Sequence, residues 1–439
     1  MEEIKIKDSG IKWIGNIPGN WNIKRLKYCV RKKITDGPHE TPVFVDDGVI
    51  FLSVDSIQDG KIVFENTRFI SCEDAKRYDK KCKLEKNDVL IGKAASTGKI
   101  AIVDKDVYFQ VWSPLAIVKT HNKILDSNFL RYYLLSPAGQ ENIDNFCTMN
   151  TQKNIAMEDI ERLSIVIPTL QEQLKVAGFL DKKCADIDEI ISKTEKQIQT
   201  LEQYKKSLVT ETITKGLNSS IEMKYSGYEW IGDIPKHWEA KKLKYILKEI
   251  KVGPFGSALS NTDFKAEGYW VYNQRTVLDE NYQTNDTFID EQKYKEMIGF
   301  KVKSGDLLIT TRGTIGKVSI VPNEFYQGII HPCIIRFQCD ETKILPELVK
   351  IIFNWSTLLS DQLNKFSNAT TIEVIYSYTL KDVIIPIIPL DEQRKILEFL
   401  KLKLNKTDEL INKQKESLET LKKYKQSLIY EYVTGKKRV

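Results

Sequence analysis

Every seventh position of one stretch is apolar or small: Leu180, Ile187, Thr194, Leu201 and Leu208. A second row runs four residues further on, through Cys184, Ile191, Ile198, Lys205 and Thr212. Near the C-terminus the pattern returns as Leu400, Thr407, Gln414, Leu421 and Leu428, with Leu404, Ile411, Leu418, Lys425 and Tyr432 beside them. A 3-4 apolar spacing held this long predicts two long helices that pair as an antiparallel coiled coil. Thr169 with Glu172 reads as a capping box at the first helix start, and Gly216 and Gly435 follow the two helix ends. Lys205, Lys425 and Gln414 interrupt the seam, which weakens packing but fixes register. A helix of about 43 residues reaches about 65 Å, enough to hold two domains well apart in a pseudo-twofold arrangement.

The rest of the chain reads differently. Short β-rich runs (Val89–Ile91, Ile100–Val103, Leu307–Thr310, Val318–Val321) are broken by turns such as Asp46-Asp47-Gly48, Asp59-Gly60, Gly253-Pro254 and Ser304-Gly305-Asp306. Helical patches are expected around Ser127–Leu135 and Leu345–Leu359. This mixture predicts an α+β fold.

The chain also repeats itself. KDSGIKWIGNIPGNWNIKRLKY (7–28) matches KYSGYEWIGDIPKHWEAKKLKY (224–245), with Trp13, Pro18, Trp21 and Tyr28 each 217 positions before Trp230, Pro235, Trp238 and Tyr245. DVLIGKAASTGKIAIV from Asp88 matches DLLITTRGTIGKVSIV from Asp306, and Glu172, Gln173, Leu201 and Tyr204 match Glu392, Gln393, Leu421 and Tyr424. The organisation is therefore A-B-A′-B′, with domains at 1–166 and 218–386 and helices at 167–217 and 387–439.

Composition changes the picture little. An apolar share of 41% suits packed cores, and a net charge of +6 permits nucleic-acid binding without requiring it. Seven scattered cysteines, none in a CxxC pair, suit reduced thiols in the cytoplasm better than disulfides or zinc. The N-terminus lacks a signal-peptide apolar core, and the longest apolar run, Val383–Leu390, is too short to span a membrane and holds two prolines.

Candidate chemistry is sparse. No FxGxG-like loop with an NPPY or DPPF tetrapeptide is present, as a methyltransferase would need. Gly92–Ile100 only approaches a phosphate-binding loop: its glycines are one residue too far apart, and Ile100 stands where a hydroxyl is required. Asp233, Glu239 and Lys241 have a nuclease-like spacing, but the other copy holds Asn16, Asn22 and Lys24, so a solvated surface is the better reading. The four histidines, His39, His121, His237 and His331, offer no metal-ligand spacing. No catalytic residue, metal or cofactor is expected.

With both halves in view, the chain resembles the specificity subunits of type I restriction-modification enzymes. The resemblance rests on WIGNIPGNW and WIGDIPKHW opening each half, and on ITDGPHETPVF (Ile34–Phe44) and VGPFGSAL (Val252–Leu259) as loop variants. It rests also on the strand-turns Asp88–Lys99 and Asp306–Lys317, and on IPTLQEQ and IPLDEQ leading into the helices. It implies two target-recognition domains, each reading one half of a split site in double-stranded DNA. It further implies spacer helices that set half-site separation and dock two adenine methyltransferase (modification) subunits, joined by an ATP-dependent restriction subunit. The chain itself would be non-catalytic and cytoplasmic.

Base reading needs side-chain donors and acceptors on loops, and phosphate contacts need cations and hydroxyls. In the first domain the candidates are Asp36, His39 and Thr41, then Lys93, Ser96, Thr97 and Lys99, and then Asn150, Gln152 and Lys153. In the second they are Ser257, Asn273, Gln274, Arg275, Arg312, Thr314 and Lys317, with Arg275 and Arg312 best suited to paired hydrogen bonds on guanine. The alternative for Lys99 and Lys317 is a tight turn with a solvated lysine. The repeated tryptophans read as core packing, because half-sites that differ call for loops that differ. A competing reading of the whole is a coiled-coil scaffold carrying tandem peptide-binding modules, which would ignore duplex DNA.

Overall fold

The computed structural model describes residues 5–149, 152–255, 258–366 and 374–439. The chain forms two compact units, Met1–Glu195 with Glu416–Val439, and Lys196–Lys415. Each unit takes one β-rich domain and a part of both long helices, so the units cut across the four segments of the sequence.

Two four-stranded sheets form the body of the first unit. One has the order Ile100–Ile102, Val89–Gly92, Leu115–Val118, Thr35–Asp36, antiparallel throughout. The other has the order Phe109–Val111, Val49–Leu52, Arg68–Ile70, Phe44–Val45, with its first pair parallel. The second unit repeats both orders: Val318–Ile320, Leu307–Thr310, Ile334–Cys339, Leu247–Val252; and Gly328–Ile330, Tyr269–Tyr272, Phe288–Ile289, Phe264–Lys265, again with a parallel first pair. Val89–Gly92 and Leu307–Thr310 are buried at every residue, as an unbroken apolar run at the centre of a sheet requires. The helix expected at Ser127–Leu135 spans those residues. The patch at Leu345–Leu359 is instead split into Pro346–Trp355 and Leu358–Phe366, with Ser356 Oγ accepting from Leu358 N–H at the break.

The repeated W-box serves packing. Trp21 and Trp238 are 2% and 0% exposed, while Trp13 and Trp230 lie partly buried on the same two cores. The strand after each box, Asn22–Arg25 or Glu239–Lys242, pairs with the strand before each long helix, Ser164–Ile167 or Ile384–Ile387. That pairing brings the box to the helix entrance. Trp21 Nε1–H donates to Glu172 (3.2 Å), and Trp238 Nε1–H donates to Glu392 (3.1 Å). The next residue is a fully buried glutamine in both copies. Gln173 accepts from Asp126 N–H and donates to the carbonyls of Ile124 and Pro168. Gln393 accepts from Leu345 N–H and donates to those of Lys343 and Ile388.

The long helices run Leu170–Lys215 and Leu390–Val433. Thr169 and Glu172 make the expected capping box, and Gly216 and Gly435 follow the ends with positive φ. All twenty seam positions named from the sequence are buried or half-buried. Within the first unit Asp188 pairs with Lys425 and Glu195 with Lys422, so the helices run antiparallel there. Within the second, Lys205 pairs with Asp408 and lies 3.6 Å from the Trp355 ring centroid. Asp188–Lys425 and Asp408–Lys205 are repeats of one another at a shift of 220. The seam lysines thus have fixed partners, which is how a polar residue specifies register.

The Lys205 side chain is 2% exposed. Asp408→Ala should strand its charge and cost about 2–3 kcal/mol, while Lys205→Met should be close to neutral, because charge and partner requirement vanish together. Urea unfolding midpoints of the two variants check this. Equal losses would mean that the pair itself, not the stranded charge, carries the effect.

Candidate nucleic-acid interface

At one end of the sheets, three turns meet in each unit. The first joins the central strand to its edge neighbour. Gly92 N–H donates to Lys99 O (2.7 Å) and Gly98 N–H to Gly92 O (2.9 Å); Thr310 and Gly316 make the same two bonds at 3.0 and 2.9 Å. Gly98 (φ 90) and Gly316 (φ 78) supply the left-handed backbone that closes the turn. The second turn is Trp112–Pro114 or His331–Cys333. It is tied to the first by Lys93 N–H to Pro114 O (2.8 Å) and by Thr311 N–H to Cys333 O (3.1 Å).

The third turn is Gly37-Pro38-His39 or Gly253-Pro254-Phe255. A Cβ on Gly37 would lie 2.0 Å from Val111 O, and one on Gly253 would lie 2.2 Å from His331 O. Only glycine lets these backbones approach. A further strap is held by Ile155 N–H on Lys93 O and Ile375 N–H on Thr311 O, both 2.9 Å. The bonds that join the first turn to the second and to the strap thus recur in both crowns of turns.

The side chains on these turns do not. In the first unit Asp36 is a buried hub. Lys81 and Lys93 each reach its carboxylate at 2.7 Å, and His39 at 3.0 Å. Burial pushes the Asp36 carboxyl up, but hydrogen bonds and charge from the two lysines outweigh it and hold it below the usual carboxylate range. Thr41 is exposed beyond the hub, and Ser96 is half-buried in the first turn. Thr97 Oγ1 donates to Lys153 O (2.5 Å), which joins the strap to the turn, and Lys153 pairs with Asp144. Gln152 is exposed. Lys99 is turned back onto Val54 O (3.4 Å).

In the second unit Arg312 and Thr314 are exposed at the turn tip, and Gln274 lies against Gly313. Asn273 caps the helix Gln274–Asp279 through the N–H groups of Arg275 and Thr276. Arg275 is 77% exposed, with Asp279 at 3.4 Å and Asp286 at 3.9 Å. Lys317 is not solvated. Its ammonium donates to Asn354 O (3.1 Å) and lies 5.2 Å from the Trp355 ring, where burial and the charges of Lys206 and Lys205 lower its pKa. His331 Nδ1 accepts from Cys333 N–H (3.2 Å), and burial with the Arg312 charge lowers its pKa, which favours a neutral ring. Asn150 and Ser257 lie outside the described residues.

The described candidates of each half thus lie on or beside the three joined turns and the strap, and the structure divides them. His39, Thr41, Gln152, Arg275, Arg312 and Thr314 are exposed. Asp36, Lys93, Asn273, Lys99 and Lys317 are engaged with the protein's own groups. Sequence reasoning missed Lys81, whose link to Asp36 spans 45 residues, and the Trp112/His331 position between the first and third turns. Asp233, Glu239 and Lys241 are exposed, with Glu239 paired to Lys241 (2.5 Å). Among the described residues no group of three His, Cys, Asp or Glu could hold a metal ion, and no helix is long and apolar enough to cross a membrane.

Fold and surface together define a duplicated α+β protein in which each unit carries an equivalent crown on an equivalent pair of sheets. The sequence model described as type I restriction modification DNA specificity domain matches residues 45–202 and 235–420. The chain belongs to that family, the DNA specificity subunits of type I restriction-modification systems. It is 26% identical over 448 residues to the type I restriction enzyme MjaVIII specificity subunit of Methanocaldococcus jannaschii, covering 96% of this chain and 94% of the relative. It is 22% identical over 364 residues to the EcoKI specificity subunit of Escherichia coli, covering 80% and 74%. A solved structure from work on complex assembly and conformational transition of the type I R-M system superposes with a TM-score of 0.68 at 16% identity, covering 95% of this chain and 98% of the other.

Asp36→Asn keeps the shape of the hub but removes the charge that holds Lys81 and Lys93. We expect affinity for duplex DNA carrying the recognition site to fall about 5–20-fold. A depressed carboxyl keeps its stabilising charge above its ordinary pKa and loses it only as pH falls through the lower folded value. Binding by the wild-type chain should therefore show no step from Asp36 between pH 6 and 9, as titrated by fluorescence anisotropy.

Proposed function

We propose that each crown reads one half of a bipartite site in double-stranded DNA, with recognition domains at 1–166 and 218–386 and spacer helices at 167–217 and 387–439. One observation carries this reading. The backbone bonds that close the first turn and tie it to the second turn and the strap repeat in both crowns, while the side chains diverge: Thr311-Arg312-Gly313 stands where the first copy has Lys93-Ala94-Ala95, and His331 where it has Trp112. A scaffold that binds one ligand twice has no cause to keep the turns and change what they display. Two readers of different half-sites do.

The helices set the separation of the halves and dock two modification subunits. Support for docking comes from apolar side chains left exposed on the outer helix faces. Ile190 (48%) and Tyr424 (56%) belong to the first unit, and their repeats Leu410 (44%) and Tyr204 (47%) to the second. The same pair twice suits the same partner twice. An ATP-dependent restriction subunit completes the complex. Methyl transfer and cleavage belong to the partners, and the chain works in the cytoplasm, where its free thiols stay reduced.

Arg312→Ala should weaken binding to duplexes carrying the half-site of the second domain by about 10–100-fold, through loss of paired bonds to a guanine. Duplexes in which only the other half is intact should be bound as before. A uniform loss across unrelated sequences would instead place Arg312 on a phosphate. Tyr204→Asp with Tyr424→Asp should leave DNA binding by the chain unchanged and abolish co-elution with the modification subunit on gel filtration.

A further inference from the structure

Phe255 is 87% exposed, far beyond any other aromatic side chain among the described residues. Free solvation of a whole phenyl ring is unfavourable, by an amount that scales with its area. The backbone that carries it is tied down on its N-terminal side. The strand Leu247–Val252 leads into it, and Gly253 is pressed against the His331 carbonyl. Pro254 fixes the backbone just before it, and Ala258 N–H closes the turn onto Phe255 O (2.8 Å). Leu259, 4% exposed, anchors the far stem in a core cluster. An apolar ring thus projects from the third turn of the crown, which meets the Arg312 turn through His331–Cys333.

The repeat makes the choice of residue informative. Gly37-Pro38 corresponds to Gly253-Pro254, so His39 occupies the place of Phe255. His39 is also exposed, at 68%, but it is polar and bonded to Asp36 (3.0 Å). The loop tip is displayed in both domains and differs in chemistry between them. Core packing explains neither side chain, since neither is packed.

We propose that Phe255 is an apolar reading residue of the second domain, burying its ring against apolar base surface in that domain's half-site. The inference rests on the reading that the crowns face DNA. Two features of a duplex offer such a surface: the face of a base at an opened step, and the methyl group of a thymine. His39 would make a polar contact at the equivalent place in the other half.

Because the ring contacts little of the protein, Phe255→Ala should fold with an unchanged thermal midpoint. The test uses the full chain and duplexes carrying the site mapped by methylation sequencing, with either half scrambled in turn. Phe255→Ala should lose about 10-fold or more in affinity on duplexes that keep the half-site of the second domain, and nothing on those that keep only the other. Phe255→Leu should recover part of the loss. A rise in 2-aminopurine fluorescence at one step, absent with Phe255→Ala, identifies insertion at an opened step. Loss reproduced by one thymine-to-uracil change identifies the methyl group. Equal binding of Phe255→Ala and wild type to every duplex overturns the proposal while leaving the crown reading intact. Failure of the wild type to prefer the mapped site over a scrambled one overturns both.

Discussion

Each long helix leaves its domain through a buried polar lock, and the rest of the architecture depends on that exit. Gln173 and Gln393 are fully buried amides, each answering three backbone groups that no strand or helix satisfies. A buried polar group left unmatched costs about 1–3 kcal/mol, so the helix start has one acceptable position. The tryptophan–glutamate bond on the preceding residue ties the same turn to the W-box, over a hundred and fifty residues away in the first copy. Direction is what such bonds supply. Apolar packing alone would allow a helix to slide or tilt, whereas paired donors and acceptors allow little of either.

Beyond the lock, the seam carries its own register marks. Lysine–aspartate pairs at equivalent places in the two units penalise any shift by stranding a charge. Beneath the crowns a comparable device appears with different parts. Asp88 bonds Glu85 N–H and Lys119, while Asp306 bonds Lys303 N–H, Arg336 and Gln338. The carboxylate and the backbone contact are constant; the counter-charge moves to a neighbouring strand position. Such a framework tolerates substitution at the turns, because turn side chains contribute little to the buried network. Variation in what the turns display is thereby separated from the stability of what holds them.

The helices, the duplication and the W-box core were legible in the sequence because burial imposes a period, and a period can be counted. The helix Ser127–Leu135 falls where the pattern puts it, since the Asp126 cap and Pro137 beyond it act locally. The contacts of individual crown residues were not legible in the same way. Lys99 and Lys317 sit in turns that read as exposed, yet each ammonium folds back onto a carbonyl from a distant segment. The Asp36 hub depends on Lys81 from another element. Asn273 serves its own helix as a cap. Only tertiary structure sets such partners, and a residue type at a turn does not reveal them. Phe255 lay beside a candidate, Ser257, but as an apolar residue it carried no mark of readout until its exposure was known.

The central claim is that two distinct readers act at a fixed separation. Single-molecule methylation sequencing of DNA from cells carrying the complete complex tests it most directly. The account predicts a split motif: two different defined half-sites, a constant number of undefined bases between them, and one modified adenine in each. A single uninterrupted motif, or two halves at variable spacing, would contradict it.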